Sequence, residues 1–428
     1  MVRVLVQREI PGCVDGRRSP WVLALGLLAG CTSGVTHVGS DSSPATTDSS
    51  VNADSQESGS ESATDSGDTT GCGQIALDPT GYAALFDASV VHTIAITLTD
   101  ADKAALIADP GTYVTADVVV DGTALAGVGL KMHGNSDQER WEAKPGLKVS
   151  LRTFGNCDPY ANVDHLYLDA NSDDPTQSKL VVSAQILANA GRVAPKATFM
   201  TVTVNGDSLG LYSNVEVVEG NFVADHEPEG GVLWSASDGA DFSERGGSAW
   251  SDVNGGGDSA TIDAVTAVVA SAGDDFYTQA DVLVDMDDFL SHWAWLAAIG
   301  HQKSYPYATK DVYLFAPASD GRFEFVPWAL DEGWDPTFGW NYVESALALR
   351  CVYDATCSAA LKTHIQTALA TADAMDVPAI ASAAFTLSNA AVSADTRRGT
   401  TAADVATARA DLLAAMQTWP ATVGSQLP

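Results

Sequence analysis

Hydrophobic periodicity changes once along this chain, and that change limits the fold more than any single motif does. Between Val90 and Leu130 apolar and polar residues alternate, in His92–Leu98, Val114–Val120 and Val128–Met132. A period of two puts every second side chain on one face of a strand. The Asp121-Gly122 pair between the last two runs predicts a hairpin turn. Alternation returns in Leu147–Arg152, Phe199–Val204 and Gly210–Val218, the last two joined by the hairpin signal Asn205-Gly206. Helical spacing interrupts the strands at Asp100–Ala108 and at Thr176–Ala190, the second stopped by Gly191.

Past residue 260 the helical period dominates, in Ala260–Ser271, Met286–Gly300, Ser358–Ala370, Pro378–Ala391 and Ala402–Trp419. One strand pair, Val312–Phe315 and Phe323–Trp328, lies among them and turns at Ser319-Asp320-Gly321. The expected class is α+β with two lobes, strand-rich over 72–235 and helix-rich over 258–428. Gly255-Gly256-Gly257 has no strand before it and no Lys after it, so it reads as a loop and not as a phosphate loop.

The N-terminal stretch reads as a processing signal. Arg17 and Arg18 precede a short apolar run from Trp21 to Gly30, and Leu28-Ala29-Gly30-Cys31 closes it. That run is too short to span a bilayer. It resembles a bacterial secretory signal over 1–30 ending in a lipobox, which implies lipidation of Cys31 and a place in the bacterial cell envelope, at the outer membrane or cell surface. Residues 32–71 hold seven acids and no Lys or Arg among Ser, Thr, Asp and Gly, a composition that suits a flexible tether. Cys72, Cys157, Cys351 and Cys357 remain for the body, and an exported chain is expected to pair them as disulfides. Cys351 with Cys357 and Cys72 with Cys157 is one of three connectivities.

Asp and Glu total 55 against 22 Lys and Arg, a formal net charge of -33. Such a field repels nucleic acid, so no nucleic-acid partner is expected. A polyanionic ligand would need a divalent cation or a local basic pocket.

Several segments together resemble the CotH kinases, the family named for spore-coat protein H. They run from "LFDASVVHTIAITLTDADKAALIADP" through "GLKMHGNS", "KPGLKVSLR", "LYLDANSDDPTQSKL" and "VNGDSLGLYSNVEVVEGNF" to "WLAAIGHQKSYPYATKDVYLF" and "GRFEFVPWALDEGWD". The resemblance implies an atypical bilobal protein-kinase-like fold and transfer of phosphate from ATP, with Mg or Mn, to an envelope or surface protein. It places Lys144 and Lys148, four apart and expected on one strand face, at the nucleotide phosphates. It places Glu216 as the acid that pairs with such a lysine or holds metal, and Asp331 and Asp311 as metal ligands.

The catalytic loop departs from the family pattern. Lys303 stands where relatives carry an Asp, and His301 is the nearby residue able to act as a base. Asp311 replaces an Asn, and Ala329 replaces an acid. The resemblance therefore implies either a kinase with a modified catalytic loop or a catalytically degenerate, adhesin-like surface protein that keeps the fold.

Overall fold

The computed structural model describes residues 78–134, 140–155, 160–227, 229–271, 273, 275–334 and 342–426. The segment expected to be a signal, Cys31, the expected tether over 32–71, Cys72 and Cys157 lie outside the described residues.

Seven strands close into a barrel: β1 (Val91–Thr97), β2 (Val114–Val120), β3 (Thr123–His133), β4 (Gly146–Ser150), β5 (His165–Asp169), β6 (Ala197–Val204) and β7 (Asp207–Val215). Their order is β1-β2-β3-β4-β5-β7-β6, and the parallel pair β1 and β6 completes the closure. Alternation fills the interior: Val114, Ala116, Val118 and Val120 point inward from β2, with Leu130, Leu147, Leu166 and Leu168 from its neighbours. Closure removes the edges that an open sheet would expose.

The helices are α1 (Pro79–Leu85), α2 (Asp100–Ala108), α3 (Lys179–Asn189), α4 (Gly220–His226), α5 (Ser259–Ser271), α6 (Phe276–Ala280), α7 (Met286–Ala298), α8 (Ala346–Tyr353), α9 (Ala355–Ala374), α10 (Val377–Ala394) and α11 (Ala402–Gln426). Thr99, Asp285, Asp354 and Asp376 cap α2, α7, α9 and α10, each accepting a first-turn backbone N–H. A second sheet, β11-β10-β8-β9, is built from β8 (Gly231–Ala236), β9 (Trp250–Asp252), β10 (Val312–Pro317) and β11 (Glu324–Pro327). Helix α7 is apolar nearly all round and sits in this second core with Phe289, Trp293 and Leu296 fully buried.

The two-lobed α+β arrangement matches the expectation, with one shift of boundary. Strand β8 begins inside 72–235 and ends at Ala236, yet it pairs with β10 and belongs to the second sheet. Helix α3 likewise packs Leu180, Val181 and Ile186 into the second core. Cys351 and Cys357 form a disulfide between α8 and the first turn of α9. The glycine stretch 255–257 is a loop held by Asp252, whose carboxylate accepts from the N–H groups of Gly255 and Gly257 at 2.9 and 2.8 Å.

Candidate functional site

The inward set of β3, β4 and β5 leaves Lys131, His133, Lys148, Tyr167 and Asp169 on the barrel's outer face. Lys131 is the register partner of Lys148, and Lys148 that of Tyr167. His133 lies across Gly146, where a Cβ would collide with its ring. It stacks on Tyr167 with centroids 4.0 Å apart, and its Nε2 meets the Leu168 carbonyl at 3.2 Å. Tyr167 in turn meets Trp328 edge to face at 5.8 Å.

Trp328 ends the strand pair of the other lobe and leads into a tight helical turn, Leu330–Glu332. Ala329 enters it with φ 51, a left-handed conformation uncommon for a residue with a Cβ. The turn rests on α3, where Trp334 Nε1 donates to Ser183 Oγ at 3.3 Å. Asp331, partly buried in this turn, is held well above the usual carboxylate range. Removal from water is the main cause, and the charges of Asp169, Glu332 and Asp174 add to it. Asp311 is 4% exposed, and burial pushes it up to about 7; Lys310 and Lys303 oppose the rise, and Glu332 and Asp238 add to it.

The backbone locks Asp311 to the turn. Trp328 N donates to the Asp311 carbonyl at 2.9 Å, and Ser304 Oγ donates to it at 2.8 Å. Lys303, in the loop after α7, donates to Glu332 Oε1 at 2.7 Å. Glu332 acts on both Asp331 and Asp311, Lys303 bonds Glu332, and Asp169 at the end of β5 acts electrostatically on Asp331.

Three expected roles need correction. Lys144 precedes β4 and does not share a strand face with Lys148. Its ammonium is 3% exposed and engaged by the Leu211 carbonyl at 2.6 Å, Asp395 Oδ2 at 2.9 Å and Gln177 Oε1 at 3.4 Å. An ammonium has three donors, and these acceptors use them. Glu216 pairs with neither Lys144 nor Lys148: it accepts from Tyr82 Oη, from Lys196 N at 2.8 Å and from Lys196 Nζ at 3.3 Å. Its ligand atoms, with those of Asp225 and His226, come within 4.8 Å of one another, but Lys196 Nζ already sits there, 2.5 Å from Asp225.

His301 is fully buried, with Nε2 at 3.0 Å from the Trp328 carbonyl and its pKa lowered by burial. A buried imidazole bonded to that carbonyl fixes the turn carrying Asp331 and offers no base to an incoming hydroxyl.

Sequence reasoning missed Asp169, Glu332, Lys131 and the aromatic pair His133 and Tyr167. Asp169 ends a five-residue strand too short to stand out by period, and Glu332 owes its place to the fold of the turn. Asp174, close by, is structural: it accepts from Thr176 N and Oγ1, Ser178 N and Lys179 N at the start of α3.

Asp331 and Asp311 each offer carboxylate oxygens, the donor type that a hard divalent cation takes. Mg and Mn take oxygen ligands, and Mg is commonly bound through one or two carboxylates together with substrate phosphates. Two carboxylates whose charge is disfavoured by burial gain most when a cation arrives.

A closed-barrel lobe with lysines on its outer face and a helix-rich lobe that carries an acidic turn make this a two-lobed α+β protein. A family profile described as CotH kinase protein matches residues 130–357, more than half of the chain, and the chain belongs to that family. Over 187 residues it is 25% identical to the inner spore coat protein H of Bacillus subtilis (strain 168), which covers 40% of this chain and 49% of that protein. The chain thus matches about half the length of that relative. Every site residue above lies within the family-matched range, and Asp395 lies beyond it.

Proposed function

We propose that this chain binds ATP with Mg or Mn between the outer face of β3–β5 and the turn at Leu330–Glu332, and transfers the terminal phosphoryl group to a protein hydroxyl. The observation that carries the reading is the run Lys148, Tyr167, Trp328, Asp331: a register pair, a ring contact and a three-residue step join the cationic face to the acidic turn. Phosphoryl transfer asks a protein mainly for positioning and charge stabilisation. Lys148 would neutralise phosphate oxygens, and Asp331 and Asp311 would hold the cation. That cation, when bound, offsets negative charge on the phosphates.

A binding-only reading has one observation behind it. Position 303 holds an ammonium engaged by Glu332 where the usual route needs a carboxylate. A surface protein that kept the fold and lost transfer would tolerate this exchange. In both readings the partner is an envelope or surface protein, since the N-terminal pattern around Cys31 suits export and lipid anchoring.

The test is incubation of the purified chain with γ-labelled ATP, Mg or Mn, and envelope protein from a bacterial host. The transfer reading predicts label on protein hydroxyls that is lost in Asp331→Ala. Nucleotide binding with no label on any protein would leave the binding reading in its place.

A further inference from the structure

Arg409, on α11, is 8% exposed, and among the described residues its hydrogen-bond acceptors are all neutral. Nε donates to the Thr176 carbonyl at 3.0 Å and Nη1 to the Phe385 carbonyl at 3.1 Å. Nη2 donates to Ser178 Oγ at 3.1 Å and to Ser388 Oγ at 2.9 Å. The guanidinium carbon lies 4.7 Å from the centroid of the Phe385 ring. A buried charge with no counter-ion is costly unless its donors are satisfied, and a planar fork can serve several acceptors at once.

Those acceptors come from two places. Phe385 and Ser388 belong to α10, whereas Thr176 and Ser178 lead into α3. Ser178 is the N-cap residue of α3 but makes no side-chain cap, and its hydroxyl accepts from Arg409 instead. The segment that enters α3 is strained: Asn171 and Gln177 have φ 54 and 57, a left-handed conformation that persists only where the surroundings hold it. Further along α3, Ser183 Oγ accepts from Trp334 Nε1 and so supports the turn that carries Asp331. Arg409 and its acceptors on α10 lie beyond the family-matched range.

We propose that Arg409 is a positioning residue, which locks the segment entering α3 against α10 and through α3 holds the turn Leu330–Glu332 in place. Its consequence for ligand binding rests on the nucleotide reading above; the positioning of the turn does not.

The experiment is amide hydrogen exchange of the full chain for wild type, Arg409→Met, Ser183→Ala and the double variant, with Mn-ATP affinity measured on the same proteins. Methionine keeps an unbranched stem against Phe385 and removes the donors. Arg409→Met should speed exchange at least about tenfold in 174–180 and in 328–334, with β2 unchanged. Ser183→Ala should loosen 328–334 and leave 174–180 as in wild type, and the double variant should loosen the turn no more than Arg409→Met does. Should Arg409→Met not fold, Arg409→Lys, with three donors for these acceptors, should loosen the same two segments to a smaller extent. Faster exchange in 174–180 without 328–334, an equal rise in β2, or additive loosening in the double variant overturns the inference. Arg409→Met should also bind Mn-ATP about tenfold more weakly, and a loosened turn with unchanged affinity contradicts a role at the site. A wild type that binds no nucleotide overturns the nucleotide reading and leaves the exchange test to decide the positioning.

Discussion

Lys303 Nζ lies 2.7 Å from Glu332 Oε1, the residue after the proposed metal ligand Asp331. A position where the family resemblance implies a carboxylate thus holds a cation engaged by the acidic turn itself. Both partners are partly exposed, so the pair contributes at most about 1 kcal/mol to stability, and its consequence is chemical. Lys303→Asp restores a proton acceptor and should raise transfer from labelled ATP by at least about tenfold. A rate equal to wild type would contradict this account of the loop.

The Lys144 and Asp395 pair makes a prediction about stability. Asp395 also accepts from Leu211 N at 3.0 Å, and a Cβ at Gly210, whose φ is 102, would collide with its carboxylate. Arg397 donates to the Trp141 and Ala143 carbonyls at 3.2 and 3.4 Å, so the segment after α10 grips the lysine-proline loop. Asp395→Ala leaves a buried ammonium uncompensated and should cost about 3–5 kcal/mol in denaturant unfolding. The double variant Lys144→Met with Asp395→Leu should cost less than the sum of the single changes, and Gly210→Ala should destabilise through strain and collision. Additive losses would show that the pair is not a unit.

The disulfide bears on the helical lobe. Cys351 and Cys357 are fully buried and close a loop with a sequence separation of 6. By the loop-entropy relation, removing the bond in Cys351→Ala/Cys357→Ala should cost about 2 kcal/mol. Nucleotide affinity should be unaffected, because the bond lies on α8 and α9. A loss of affinity without loss of stability would contradict that separation.

Acidity sets the strength of the metal effect. Asp311 in the folded protein titrates near about 7, above the ordinary value of about 3.9. The folded state therefore holds this proton more tightly than the unfolded chain does. Asp311 destabilises increasingly as pH rises from about 4 to about 7, and no further above that. A divalent cation binds the ionised form, so Mg should raise the melting temperature more at about pH 8 than at about pH 6; Asp331 acts in the same direction. Asp311→Asn should raise metal-free stability at the higher pH and shrink the metal effect. Equal Mg shifts at both pH values would contradict the assignment.

Much of the fold was legible because its elements are local. The runs at Val114–Val120 and Asp100–Ala108 match β2 and α2 residue for residue, since alternation and an N-cap are written in adjacent positions. Strand β8 pairs with β10 across a long stretch of chain, so its membership in the second sheet had no local signal. At the site, motif position singled out Lys148, which lies on the outer face of β4, and Asp331, Asp311 and Lys303, of which Lys303 bonds Glu332 and Asp311 holds Trp328 through its backbone. Lys144 and Glu216 were given partners by analogy. Their actual partners, Asp395 and Lys196, are set by tertiary contacts that spacing does not encode.

The central claim is that nucleotide and metal meet at Asp331, and thermal melting of the purified protein with its disulfides intact tests it most directly. Wild type and Asp331→Ala would be compared with and without millimolar Mg-ATP or Mn-ATP. A ligand at about 100 times its dissociation constant adds about 2.7 kcal/mol to stability, a shift that melting registers clearly. The account predicts a rise for wild type that is absent from Asp331→Ala. No rise in wild type with either metal, or an equal rise in both proteins, would contradict it.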